Sequence, residues 1–205
     1  MESPRRLFER TAAHAADFAE SLAERRVGES STVDELRAEL RLPLPDGPTA
    51  PERVIDELVA GVEPGLVAMA GGRYFGFVIG GGVPAAVAAD WLTSAWDQNA
   101  GLYAGGPSAA VVEEVAGDWL KELLGLPATA SFAFVTGCQM AHVTALAAAR
   151  HEVLARAGWD VERDGLAGAP PVRVVVGAER HATVDRALRL LGIGGSAIVS
   201  VPADD

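Results

Sequence analysis

The chain has 205 residues, 49% of them apolar and 22% charged, with a formal net charge of −11. That length suits one large domain, or one domain with an extension, and the composition predicts a packed core and excludes wholesale disorder. The acidity argues against a nucleic-acid or anionic-membrane surface, since both need clustered cations.

Cys138 is the only cysteine, so no intrachain disulfide can form, which fits a reducing compartment. The opening residues lack the apolar region of a signal peptide. No apolar run reaches the roughly 18 to 20 residues that span a bilayer. A cytoplasmic location is expected, without membrane or nucleic-acid partners. Lys121 is the only lysine.

Residues 1–70 read as a helical N-terminal extension. Phe8 to Arg26 carries apolar residues at helical spacing. Ser31 to Glu35 has the form of a helix start, an N-cap donor followed by acids. The Pro-rich stretch from Leu42 breaks that helix, and a further helix is expected from Pro51 to Ala60. The extension has few large apolar side chains, so it is expected to pack on the main domain or on a second subunit.

Residues 71–205 read as an α/β domain. Tyr74 to Ile79 is a short aromatic and β-branched run closed by Gly80, Gly81 and Gly82. A helix is expected from Pro84 to about Trp96, with proline in its first turn. From Glu113 to Leu124 an amphipathic helix is expected, with Val112, Val115, Ala116, Trp119, Leu120 and Leu123 on one face. Strands are expected at Ser131–Val135, Val172–Val176 and Ala197–Val201, and helices at Gln139–Ala157 and His181–Leu191. That alternation implies a parallel sheet with crossover helices.

In such a sheet ligands bind at the carboxyl ends of the strands. Thr136, Gly137, Cys138 and Gln139 lie there, opening the long helix. A glycine turn feeding a helix N-terminus presents free N–H groups to a phosphate, or it is simply a tight turn. His181, with Thr183 beside it, falls at the next strand end. It stacks on a flat ring, acts as an acid–base group, or caps its own helix. The P-loop pattern is absent, no G-x-G-x-x-G follows a strand, no metal-ligand spacing occurs, and G-x-S-x-G is missing. Cys138 reads as a small residue close to a ligand rather than a nucleophile.

Several ordered segments resemble the group II pyridoxal-phosphate-dependent amino-acid decarboxylases, such as the aromatic-amino-acid and glutamate enzymes. They are Arg73–Phe77, Trp96–Ala100, Pro107–Ala110 with Glu113 and Glu114, Asp118–Leu120, Thr136–Arg150 and His181–Ala187. The resemblance implies an incomplete large domain of fold type I, like that of aspartate aminotransferase, and a homodimer. It implies that pyridoxal 5'-phosphate is held at its phosphate by Thr136, Gly137, Cys138 and Gln139, with Thr183 nearby and His181 on its ring as the catalytic imidazole. Phe77, Val78 and Ile79 then line the pocket for an L-amino acid, with Asn99 close by, and the reaction is loss of CO2. Two departures stand out. Gly137-Cys138-Gln139 lacks the family's usual hydroxyl residue, and Gly71-Gly72-Arg73 stands where the family has His-Pro.

The resemblance also puts the family's Schiff-base lysine beyond residue 205. Lys121, expected to face solvent on an amphipathic helix, is no substitute. The chain alone is therefore expected to be inactive and to need a continuation or a second chain. Another fold type I activity, such as transamination or sulfur chemistry, and a non-catalytic dimerisation module are the alternatives.

Overall fold

A computed structural model describes residues 3–203. By internal contacts the chain forms two compact units that divide between Asp97 and Gln98, beyond the change of sequence character near residue 70.

In the first unit, α1 (Pro4–Ser21) starts at Ser3, whose side chain accepts the N–H of Arg5, with proline at the first helical position. The expected start at Ser31–Glu35 becomes a full capping box. The Thr32 hydroxyl accepts the Glu35 N–H, and the Glu35 carboxylate accepts the Thr32 N–H, opening α2 (Val33–Leu40). Helix α3 (Pro51–Val62) follows the proline-rich break. A forked ion pair from Arg10 to Asp56 joins α1 to α3, and Nε2 of His14 lies 3.4 Å from the same carboxylate. Helix α4 (Pro84–Trp96) has the expected bounds and ends in a left-handed Asp97. It buries none of its residues, leaving Trp91, Leu92 and Trp96 exposed.

The second unit holds α5 (Pro107–Leu123), α6 (Gly137–Arg156), the single turn α7 (Val161–Asp164), β1 (Val174–Gly177), α8 (Ala182–Leu190) and β2 (Ile198–Val201). Strands β1 and β2 pair in parallel, Val174 opposite Ile198 through Gly177 opposite Val201. Helix α8 is their crossover, as the alternation predicts. The core lies where α6 and α8 pack: Leu154, Val161, Ala187, Leu188, Leu191 and Ile193 are buried. Arg150 Nη1 donates to the Leu191 carbonyl at 2.8 Å and closes one end of that contact. Helix α8 stops in a Schellman turn. Gly192 takes φ +76°, Ile193 N–H reaches the Leu188 carbonyl and Gly192 N–H the Arg189 carbonyl.

Two expectations fail. Residues 131–135 are not a strand. A ladder needs a hydrogen-bonded neighbour, and among the described residues the only sheet has two strands, β1 and β2. The run is instead held by side chains: Phe132 lies against Gly117 of α5 and meets Phe134 edge-on at 5.7 Å. Lys121 does not face solvent. Its side chain is 15% exposed, and its ammonium pairs with Asp118 at 2.9 Å, donates to the Ala128 carbonyl at 3.2 Å and sits over the Phe132 ring. The long aliphatic stem allows this, because it crosses apolar surface while the head keeps its partners. No described helix is long and apolar enough to cross a membrane.

Candidate functional site

The site begins at the mouth of α6. Gly137 takes φ +77°, a conformation that favours glycine, and nothing lies within 4 Å of where its Cβ would be. Thr136 is the N-cap residue, yet its side chain makes no capping hydrogen bond. The first-turn N–H groups of Cys138 and Gln139 therefore receive no acceptor from Thr136, at the positive end of a 20-residue helix. Cys138 is exposed beside them. An open, uncapped mouth of this kind fits a phosphate.

Helix α8 starts differently. His181 is its N-cap, and Nδ1 accepts the Thr183 N–H at 3.3 Å and lies 2.9 Å from the Thr183 hydroxyl. A backbone N–H can only donate, so Nδ1 carries the lone pair, and in the neutral ring the proton sits on Nε2. The local-cap alternative for His181 is thus realised, and it coexists with a ring exposed to solvent. Thr183 is itself buried.

The two helix starts are joined. Gln139 Nε2 donates to the Thr183 carbonyl at 3.2 Å. Thr136–Gln139 and His181–Thr183 thereby form one locus, at the start of α6 and just past the carboxyl end of β1. An anion cradle and an exposed imidazole side by side fit a flat, phosphorylated ring.

The other residues read from the sequence sit elsewhere. Phe77, Val78 and Ile79 belong to the first unit, in an exposed turn, with Phe77 in the left-handed region at φ +56°. A left-handed phenylalanine is strained, and such strain is enriched at functional sites. Asn99 opens the second unit and organises its own loop: Oδ1 accepts the Gly101 N–H at 3.2 Å, and a side chain at Gly106 would meet its carbonyl oxygen at 2.9 Å.

Arg180 lies in the polar set just past β1, but the sequence assigns it no role. Its guanidinium holds Asp185 of α8 through Nε and Nη2 at 3.0–3.2 Å, and Nη1 reaches the Ser200 hydroxyl of β2 at 3.1 Å. The available signal was an arginine just before the helix start and an aspartate five residues on. Among the described residues no group of three His, Cys, Asp or Glu could hold a metal ion.

No family model matches the chain. It is 29% identical over 189 residues to an aromatic-L-amino-acid decarboxylase of Bacillus atrophaeus, an alignment covering 92% of this chain and 37% of that one. It is 32% identical over 183 residues to tryptophan decarboxylase 1 of Oryza sativa subsp. japonica, covering 82% of this chain and 34% of that one. The chain thus spans about a third of the length of these curated relatives. Among solved structures, Oryza sativa TDC with PLP and tryptamine superposes with a TM-score of 0.84 at 26% identity, covering 97% of this chain and 43% of that chain. The fold is the first part of a fold type I large domain. In sequence and in fold, the chain belongs to the group II pyridoxal-phosphate-dependent amino-acid decarboxylase family, matching its amino-terminal portion.

Proposed function

We propose that this chain supplies the phosphate cradle and the ring-stacking imidazole of a pyridoxal-phosphate-dependent L-amino-acid decarboxylase, a carbon–carbon lyase. The observation that carries the reading is the Gln139–Thr183 hydrogen bond, which sets the open mouth of α6 beside His181. In this reading the backbone of Gly137, Cys138 and Gln139, with Thr136, binds the cofactor phosphate. Thr183 holds His181, whose ring face lies on the cofactor and whose Nε2 keeps the proton. Pyridoxal phosphate, when bound, supplies an electron sink for the pair left on the substrate's α-carbon as CO2 departs.

In the same reading the apolar Phe77, Val78 and Ile79 are substrate-binding residues, as is Asn99, which organises its own loop. The strain at Phe77 supports a functional role for that turn. The engaged ammonium of Lys121 supports a Schiff-base lysine other than Lys121, one that a homodimer of these 205 residues does not itself hold and that a second chain could supply. The exposed, unpaired thiol of Cys138 fits a reducing, cytoplasmic setting.

The test is protection of Cys138. Pyridoxal phosphate and inorganic phosphate are expected to slow its modification by a thiol reagent in the 205-residue chain, and pyridoxal without phosphate is not. Equal labelling with and without pyridoxal phosphate would overturn the cradle. The reaction is checked with the protein that supplies the lysine: CO2 and amine from an L-amino acid support decarboxylation, and a keto acid supports transamination instead.

A further inference from the structure

His181 is fixed on one side only by its cap to Thr183. That contact sets the ring relative to α8, but nothing in it sets α8 relative to the strand ends. The second constraint comes from the neighbouring residue. Arg180 Nε lies 3.1 and 3.2 Å from the two carboxylate oxygens of Asp185, and Nη2 lies 3.0 Å from one of them. On the opposite edge of the fork, Nη1 donates to Ser200 Oγ at 3.1 Å and points toward the Gly177 carbonyl at 3.5 Å. One rigid, planar group thus touches the end of β1, the middle of β2 and the first turns of α8. The pair is half-sheltered, with side chains 22% and 33% exposed.

The loop that carries His181 is tied in the same place by its backbone. Ala178 N–H donates to the Val201 carbonyl at 2.8 Å, and Arg180 N–H to the Gly177 carbonyl at 3.3 Å. The Arg180 fork adds a side-chain tie to these two backbone ones. A forked guanidinium is suited to this work because its donors are fixed in one plane, whereas an ammonium offers a single mobile charge.

We propose that Arg180 is a positioning residue for His181: by locking α8 and the 177–181 loop to β2, it holds the imidazole in one orientation toward the mouth of α6. The cofactor part of this inference rests on the reading of His181 as the ring-stacking group; the orientation part does not.

The experiment uses the 205-residue chain with 13C-labelled imidazoles, the His181 signal being identified by its loss in His181→Asn. Without ligand, wild-type His181 is expected to give one narrow resonance. Arg180→Lys keeps the charge but loses the fork, and is expected to broaden or split that resonance by about twofold or more, leaving His14, His142 and His151 unchanged. Pyridoxal phosphate affinity is expected to fall about five- to tenfold in the same variant, while that for inorganic phosphate changes less than about twofold. A merely structural arginine would move all four histidines together, or none. An unchanged His181 resonance in folded Arg180→Lys overturns the proposal. If Arg180→Lys loses its helical signal, Ser200→Ala, which removes one contact of the fork, serves instead; a smaller broadening of His181 alone supports the clamp and no broadening overturns it. Broadening with no pyridoxal phosphate binding by any form would sink the cofactor reading and leave the clamp standing.

Discussion

The side-chain amide of Gln139 and the carbonyl of Thr183, 44 residues apart in sequence, meet at 3.2 Å. This single hydrogen bond couples two helix starts. Gln139→Leu keeps the bulk and removes the donor. Its expected effect is a loss of about 1 kcal/mol in the stability of the second unit, the usual worth of such a bond. Urea unfolding followed by circular dichroism checks it. Pyridoxal phosphate binding is expected to weaken as well, because the mouth of α6 is then free to shift against His181.

His181 does two separable things in this reading, and two variants separate them. Asparagine is a good N-cap and alanine is not. His181→Asn is expected to retain stability, and His181→Ala to lose about 1 kcal/mol more. Both lose the imidazole face, so both are expected to weaken pyridoxal phosphate binding to the same extent. A tighter complex with His181→Asn than with His181→Ala would assign the histidine to helix capping alone.

Gly117 explains how the non-strand segment before Thr136 stays in place. A Cβ at Gly117 would come within 2.1–2.4 Å of the Phe132 ring. Helix propensity favours alanine over glycine by about 1 kcal/mol. Overpacking typically costs about 1–3 kcal/mol, so Gly117→Ala is expected to be destabilising on balance. Lys121 sits over the same ring, 5.6 Å from its centroid, and is expected to become more reactive toward amine reagents when the ring moves. Thermal unfolding and mass-spectrometric labelling measure the two effects.

The first unit has its own pH dependence. Arg10 holds the Asp56 carboxyl below its ordinary value, chiefly through the forked hydrogen bond. Glu35 is also lowered, by the backbone hydrogen bond from Thr32 in its capping box. For a lowered carboxyl the stabilising contribution is fully present above the unfolded value, about 4, and is lost as pH falls through the folded one. Acid is therefore expected to loosen α1 from α3 and fray α2, and Asp56→Asn is expected to flatten that slope. Glu35 is exposed and Asp56 half-exposed, so the effect is expected to shrink in high salt. Helical circular dichroism between pH 5 and 2 shows it directly.

Much of the local structure was legible. Proline at the first turn placed α4 at Pro84–Trp96, and an N-cap donor followed by acids at Ser31–Glu35 placed the start of α2. Short, continuous apolar runs marked β1 and β2, and Gly137 marked the mouth of α6. The family was legible too, through ordered segments that no single motif would have secured.

What escaped the sequence depended on partners far along the chain. Ser131–Val135 has the composition of a strand, yet it finds no ladder neighbour among the described residues. Lys121 looked solvated until Ala128 and Phe132 folded over it. Arg180 and Gln139 gained their roles from Ser200 and Thr183. Caps, turns and periodicity are settled within a few residues by local sterics and hydrogen bonding, so sequence alone determines them. Strand pairing and the ties between helix starts need groups 20 to 44 positions apart to arrive together, and only the tertiary structure decides which of them do.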